Sequence, residues 1–304
     1  MIVSTTNEYG ELRSVLVGSV DNFCWPIDDN EFNESVARST YELKFTNQPL
    51  SNQVIDEAKE DLQHLVNTLE GRGIEVLRPA TVKPTWAYSA RDILLTIGNK
   101  VIECPTPFSS RSKELDLYPK LKQIDCNIIR APRPNSIDDP MFDAANVLKV
   151  GDKLVYSLSH SANEAGAKWL QEQVGTQFEV IKWQAVKHQI THIDSTLLSC
   201  AKNTIIANAS RLSIDILPNF MKDFKIIWVD DCVGRKFYKF PFASKWIGMN
   251  MLSIDPETII VDEIQIDLIE QLKQEKFNVI ALPMRQSRTL GGGFHCVTCD
   301  LERS

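Results

Sequence analysis

A strand–strand–helix–strand pattern recurs along this 304-residue chain about every 50 residues, and no other feature narrows the fold as far. In one copy, residues 93–103 read as two strands around the turn Gly98-Asn99. A helical stretch at 112–123 and a strand at 127–130 follow. The next copy has strands at 147–150 and 154–157 around Gly151-Asp152, an amphipathic stretch at 162–174 and a strand at 178–182. A third has strands at 197–200 and 204–207 around Lys202-Asn203, a helix at 214–221 and a strand at 225–229. A fourth has strands at 251–254 and 258–261 around Asp255-Pro256, a helix at 266–275 and a strand at 278–282. The N-terminal copy is less regular, with a strand at 14–17, a helix at 53–70 and a strand at 74–77. Gly and Asn tolerate positive φ, which suits the hairpin turns, and apolar residues three and four apart give each helix one buried face.

Units of this size cannot bury their apolar faces alone, and a closed ring removes exposed sheet edges. The expected fold is α/β, a five-bladed pseudosymmetric ββαβ propeller built by residues 1–304 as a single domain. Asp92, Asp143 and Asp194 each precede a hairpin strand, at equal spacings of 51 residues. If the units are related by rotation, these carboxylates occupy one position per unit and face a common central cavity. The bland alternative is that they are turn residues, a common use of Asp.

The chemistry inside such a cavity is bounded by composition. A formal charge of −7 gives no overall positive field for a polyphosphate backbone, so nucleic acid is not an expected partner. No apolar run approaches the ~20 residues that span a bilayer, so no membrane partner is expected. The N-terminus lacks a basic region followed by an apolar one, and the seven cysteines are odd in number and scattered. Both points favour reduced thiols in the cytoplasm.

The most informative segment is Gly291-Gly292-Gly293-Phe294-His295-Cys296-Val297-Thr298-Cys299. Three successive glycines are costly in backbone entropy and suit a sharp turn or a close approach to the chain. Cys296 and Cys299 form a C-x-x-C pair, which allows three readings. A redox pair normally follows an early strand of a βαβ unit. A zinc site needs about four ligands, and no second close Cys or Cys/His pair exists. A thiolate nucleophile needs a proton-transfer partner. His192 is the candidate, two residues from Asp194, so on a strand both side chains share a face. His295 adjoins Cys296 and on an extended strand points the opposite way.

Together these segments resemble the amidinotransferase family. The matching motifs, in order, are Asn7-Glu8-Tyr9, Arg91-Asp92-Ile93-Leu94, Phe142-Asp143-Ala144-Ala145, His192-Ile193-Asp194-Ser195-Thr196, Ser244-Lys245-Trp246 with Met249-Asn250, and Gly291 to Cys296. The family belongs to the guanidine-modifying penteins, whose five-unit ββαβ propeller agrees with the repeat count. The resemblance implies that Cys296 is the nucleophile, His192 the general acid/base and Asp143 the carboxylate orienting it. It implies that Asp92 and Asp194 hold the guanidinium, that Arg211 binds the substrate α-carboxylate and that Ser244 is a polar substrate contact.

The implied reaction moves the amidino group of L-arginine, leaving ornithine, through an amidino-cysteine to an acceptor amine. It needs no metal or organic cofactor, and the partners are small molecules. Relatives are often dimeric, which allows a homodimer here. Asn146 stands where better-known members carry a second aspartate, Ala243 where a serine is common and Thr191 where a methionine is common. These departures leave the acceptor open to something larger than glycine. A hydrolase on the same fold, discharging the intermediate with water, is the nearest alternative. A non-catalytic binding protein would be expected to have lost one of Cys296, His192 or the carboxylates.

Overall fold

The computed structural model describes residues 2–24, 50–80, 86–112, 114–184, 192–230, 243 and 245–304. Within them lie five three-stranded sheets. Four follow the chain: β3 (Leu94–Ile97), β4 (Lys100–Glu103) and β5 (Asn127–Arg130); β6 (Val147–Val150), β7 (Lys153–Ser157) and β8 (Glu179–Trp183); β9 (Leu197–Ala201), β10 (Thr204–Asn208) and β11 (Lys225–Val229); β12 (Leu252–Asp255), β13 (Thr258–Asp262) and β14 (Asn278–Leu282). In each, the first strand pairs antiparallel with the second and the second pairs parallel with the third. The hairpin turns use the residues that positive φ favours: Gly98, Gly151 and Asn203 have φ of 56°, 66° and 54°.

The irregular N-terminal unit is completed from the other end of the chain. β15 (Thr298–Arg303) pairs antiparallel with β1 (Leu12–Val17), and β1 pairs parallel with β2 (Glu75–Leu77). The fifth sheet therefore repeats the common order with its first strand supplied by the C-terminus. First strands are nearly all buried and third strands are half exposed, so each sheet runs from the centre outward. Apolar clusters fill the space between adjacent sheets. One joins Leu16 of β1, Leu94 of β3 and Cys299 of β15; another joins Leu148 of β6, Leu197 of β9 and Ile205 of β10.

The crossovers differ from the sequence reading in two units. Helices α1 (Asn52–Glu70), α2 (Glu164–Val174) and α3 (Ile266–Gln274) form where apolar spacing predicts them. The Ser51 hydroxyl caps α1 and the Asn163 side chain accepts from Gly166 N to cap α2. Residues 112–123 and 214–221, expected to be helices, instead form short 3-10 turns. Proline explains both. Pro119 and Pro218 remove a donor and hold the preceding Tyr118 and Leu217 out of the helical region. No helix among the described residues is long and apolar enough to cross a membrane.

Each first strand is entered through a short turn: Ala90–Asp92, Ala144–Asn146, Ile193–Ser195, Lys245–Met249, and the turn at 294–297. This corrects the meaning given to the equal aspartate spacing. Asp92 ends its turn, Asp143 stands just before its turn, and Asp194 lies inside its turn. His192, not Asp194, occupies the position equivalent to Asp143. The aspartates meet, but from three different register positions, because loop lengths differ between units.

Gly166 in α2 tests the packing of a helix against its sheet. A Cβ there would lie 2.5 Å from the Tyr156 hydroxyl and 2.6 Å from the Met141 carbonyl oxygen. Gly→Ala inside a helix ordinarily stabilises by about 1 kcal/mol. Here Gly166→Ala is expected to lower stability by about 1–3 kcal/mol, read as a lower urea midpoint.

Candidate active site

The five turns converge on one buried cluster. Cys296, in the turn before β15, is 2% exposed, and its Sγ donates to Asp194 Oδ2 at 3.1 Å. Asn250, just after the turn that leads to β12, reaches the same sulfur: its Nδ2 donates to Cys296 Sγ at 3.1 Å. The Asn250 Oδ1 accepts the backbone N–H of Gly293 at 3.1 Å and of Cys296 at 2.8 Å. One side chain thus fixes both the loop and the sulfur it carries.

The glycines are explained by this approach. Gly291 closes α4 (Ser287–Leu290) at φ 81°. A Cβ on Gly292 would lie 2.9 Å from Cys296 Cβ, and one on Gly293 would lie 2.7 Å from the Asn250 carbonyl oxygen. The close contact is therefore to the chain's own nucleophile candidate and its donor. Cys299, the other half of the C-x-x-C pair, lies in β15, is buried and donates to the Leu94 carbonyl oxygen at 3.2 Å. It is part of the core between sheets.

His192 stands between two carboxylates. Its Nε2 lies 3.1 Å from Asp143 Oδ2 and its Nδ1 lies 3.6 Å from Asp92 Oδ1. Thr106 Oγ1 donates to the other Asp143 oxygen at 2.7 Å. Asn146 Oδ1 accepts the Asp143 N–H at 3.1 Å, so the residue replacing the expected aspartate anchors this turn. The His192 side chain is 19% exposed where Asp143 and Cys296 are almost sealed, so the imidazole is the group nearest to solvent exchange.

Asp194 touches the sulfur and Asp92 acts on it through its charge, and the two carboxylates are supported differently. Arg111 donates to Asp92 Oδ2 at 2.5 Å and makes a two-point pair with Glu114. Asp92 Oδ1 is buried and accepts no hydrogen bond among the described residues. Asp194 Oδ2 accepts from both Cys296 and His295, whose Nδ1 is 3.0 Å away. His295 lies in a turn rather than on a strand, so its ring meets the same carboxylate as the thiol, contrary to the expectation that it points away.

These neighbours shift the titrations in opposite directions. Burial and then the Asp194 and Asp92 charges push the Cys296 thiol well above its usual range, against the Asn250 donor. Burial works to lower His192, but the Asp92 charge and the Asp143 hydrogen bond outweigh it and raise it to about 9. Burial works to raise Asp194, yet His295 and His192 hold it below the usual carboxylate range. Burial raises Asp92, with Asp143 adding to it, despite His192 and Arg111. These directions favour a neutral thiol at Cys296 and an imidazolium at His192 near neutral pH, beside an Asp92 oxygen that accepts no hydrogen bond among the described residues.

Arg211 lies beside the turn that carries Asp194: its Nη1 donates to Thr196 Oγ1 at 2.7 Å, and its guanidinium stacks 3.9 Å from the centroid of Trp246. Ser244 lies outside the described residues. Asn250, Thr106, Glu8 and Arg111 were given no role by the sequence reading. Asn250 and Glu8 stood inside quoted motifs, and Arg111 and Thr106 carried no local signal. Among the described residues no group of three or more His, Cys, Asp or Glu side chains is arranged to hold a metal.

A buried thiol beside two histidines and three aspartates, set on the turns of a five-sheet ring, marks an enzyme site. No family model matches the chain. Individual relatives do. Inosamine-phosphate amidinotransferase 1 of Streptomyces griseus is 33% identical, covering 100% of this chain and 97% of its own. The solved structure of inosamine-phosphate amidinotransferase from that organism superposes with a TM-score of 0.91 at 32% identity, covering 99% and 97% of the two chains. The saxitoxin-pathway amidinotransferase of Microseira wollei follows at 0.89 and 26%, covering 99% and 97%. The L-arginine:L-lysine amidinotransferase of Pseudomonas savastanoi pv. phaseolicola is 25% identical, covering 99% of this chain and 94% of its own. The chain belongs to the amidinotransferase family, with the pentein propeller fold, and is an enzyme that transfers amidino groups.

Asn250 gives a test of the site's construction. Removing the hydrogen bond from Asn250 to the sulfur costs about 1.5–3 kcal/mol once that sulfur ionises. Asn250→Ala is expected to lower kcat/KM ~10- to 100-fold with little change in the far-ultraviolet circular dichroism spectrum, measured by steady-state product formation.

Proposed function

We propose that this enzyme takes the amidino group of L-arginine onto Cys296 and passes it to an acceptor amine. The observation that carries this reading is the buried Cys296 thiol hydrogen-bonded to Asp194, with the unfilled Asp92 oxygen among its charged neighbours. A guanidinium is planar, permanently cationic and rich in donors, which suits paired carboxylates. Asp92 and Asp194 bind it and orient its central carbon toward sulfur. Arg211 holds the α-carboxylate of the donor and Ser244 adds a polar contact.

The cation activates its own nucleophile. Burial, and then the charges of Asp194 and Asp92, keep the thiol protonated. A guanidinium between them offsets that field, and the thiol proton leaves to solvent as the substrate takes its place at Asp194. The thiolate attacks the central carbon. His192, protonated at neutral pH, gives its proton to the departing nitrogen, the carbon–nitrogen bond breaks, and ornithine leaves as the neutral amine. The amidino group remains on sulfur as a cation, stabilised by the same carboxylates. An acceptor amine then attacks, neutral His192 takes its proton, and the carbon–sulfur bond breaks to regenerate thiolate. Asp143 holds the imidazole in orientation for both transfers.

The acceptor is an amine of a size drawn from the named relatives, which act on inosamine phosphate and lysine, and glycine is the smaller comparison. We place the enzyme in the cytoplasm, with residues 1–304 as one catalytic domain. A homodimer is compatible with this reading.

Incubation with arginine alone is expected to add about 42 Da to Cys296, the mass of an amidino group replacing a hydrogen, and a productive amine removes it. Intact-mass spectrometry of wild type and Cys296→Ser reads this. No adduct with arginine would overturn arginine as donor, and an adduct discharged equally by water would overturn acceptor specificity. In free protein the ultraviolet thiolate absorbance assigned to Cys296, taken as wild type minus Cys296→Ser, should stay absent through pH 9. Its appearance near neutral pH without ligand would contradict substrate-driven ionisation.

A further inference from the structure

We propose that His295 is a permanently protonated positioning residue, its imidazolium bridging Glu8 and Asp194 so that Asp194 stays ionised and aimed at the Cys296 thiol. This rests on the reading of Asp194 as a carboxylate that binds the substrate cation. Glu8 and Asp194 sit on opposite sides of the ring. His295 Nδ1 is 3.0 Å from Asp194 Oδ2 and Nε2 is 3.1 Å from Glu8 Oε2. Ionised carboxylates only accept hydrogen bonds. A neutral imidazole has one N–H and one lone pair, so it would press that lone pair against a buried carboxylate oxygen. Only the imidazolium satisfies both contacts.

The surroundings make the charge consistent. His295 and Glu8 are 5% and 4% exposed, so neither contact is screened by water. Glu8 is held from behind: the Lys149 backbone N–H lies 3.5 Å from its Oε1, and Arg91 Nη1 lies 4.0 Å from the same oxygen. Arg91 also faces His295 directly, donating from Nε to its backbone carbonyl oxygen at 2.8 Å. That like charge opposes protonation of the ring, but Arg91 is itself paired with Asp300 at 2.8 Å. The Lys149 charge also acts on Glu8 but lies 3.8 Å from Asp300, the His192 charge acts on Asp194, and Cys296 adds a thiol that burial and Asp194 push up. Burial and the Arg91 charge push His295 down, and Glu8 and Asp194 together outweigh them, leaving it above its usual value.

The consequence is a division of labour between two histidines. His192 is partly open and exchanges its proton. His295 is sealed and keeps its proton through the cycle. Its charge keeps Asp194 an anion in a buried site already crowded by Asp92 and Asp143. Its bond to Oδ2 fixes the side on which the thiol and then the substrate meet that carboxylate. Glu8 orients the ring and balances its charge.

The test begins on wild-type enzyme labelled with nitrogen-15 histidine. His295, assigned by the signal missing in His295→Gln, is expected to show both ring nitrogens protonated at pH 7. A neutral-tautomer signature at pH 7 would overturn the proposal whatever the activity. In the second arm, His295→Gln, which keeps the volume but not the charge, is expected to raise the arginine KM and slow amidino-Cys296 formation ~10- to 100-fold. The acidic limb of its kcat/KM profile should move to higher pH as Asp194 loses its cation. Glu8→Gln leaves the Asp194 contact in place and should shift the His295 titration downward into an observable range. An unmoved acidic limb in a folded His295→Gln, or an unmoved His295 titration in Glu8→Gln, would overturn the role. The nitrogen measurement does not depend on the donor. A wild type that forms no arginine adduct yet carries a protonated His295 would refute the donor reading alone.

Discussion

The pairing of β15 with β1 is the contact on which the rest depends. Without it the last sheet has no inner strand, and sheets at both ends of the repeat series present unsatisfied edges. With it, Leu16, Leu94 and Leu301 close one continuous core between units far apart in sequence. The same pairing carries the Cys296 thiol to the hub, because Cys296 lies in the turn that enters β15. Two ion pairs lock the strand from inside: buried Asp300 is held by Arg91 and by Arg303, each at 2.8 Å. Arg91 reaches this carboxylate from the turn before β3 and Arg303 from β15 itself, so Asp300 ties the C-terminal strand to the neighbouring unit. Ring closure and the placement of Cys296 therefore rest on the same strand pairing.

The cluster at the hub is built in a tense electrostatic state. Three aspartates and Glu8 are drawn together out of water, and desolvation opposes every one of their charges. They are tolerated because cations are interleaved among them: His192 between Asp143 and Asp92, His295 between Asp194 and Glu8, and Arg111 between Asp92 and Glu114. The arrangement leaves one acceptor, Asp92 Oδ1, without a hydrogen bond among the described residues. The tension falls on Cys296, whose thiol burial and the Asp194 and Asp92 charges push well above its usual range. On the proposed mechanism, such a site discriminates by charge before it discriminates by shape.

Much of this was legible in the sequence, for identifiable reasons. Hairpin turns were readable because Gly98, Gly151 and Asn203 are residues chosen for positive φ. Helix α2 was readable because its apolar spacing follows one helical face. The two failed helices, at 112–123 and 214–221, show where periodicity is overruled, since apolar spacing persists through a proline that forbids the helix. The inner strand of the fifth sheet was missed because its partner lies at the far end of the chain, and local pattern carries no information on such pairing. Around the site, residues defined by their own chemistry, such as Cys296 and His192, stood out. Asn250 and Glu8 act through geometry that only the closed ring creates, so their side chains gave no local sign of what they touch. His295 was misjudged because its backbone was assumed to be extended. The turn at 294–297 rotates it onto Asp194.

The equal spacing of Asp92, Asp143 and Asp194 shows how a correct destination can be reached through an incomplete argument. Rotation of identical units would place them at one register position, and they are not at one position. What the units share is the device, a short turn feeding an inner strand, and each unit spends that device on a different group. One turn gives Asp92, the next is preceded by Asp143, the third brings both His192 and Asp194, the fourth leads to Asn250, and the last carries His295 and Cys296. A pseudosymmetric scaffold thus yields an asymmetric site, which the chemistry requires. On the proposed mechanism, attack on a planar carbon needs a nucleophile on one face, carboxylates in the plane and a proton donor at the leaving nitrogen, and these demands cannot be met by five copies of one residue. The repeat supplies convergence, and divergence within the repeat supplies function.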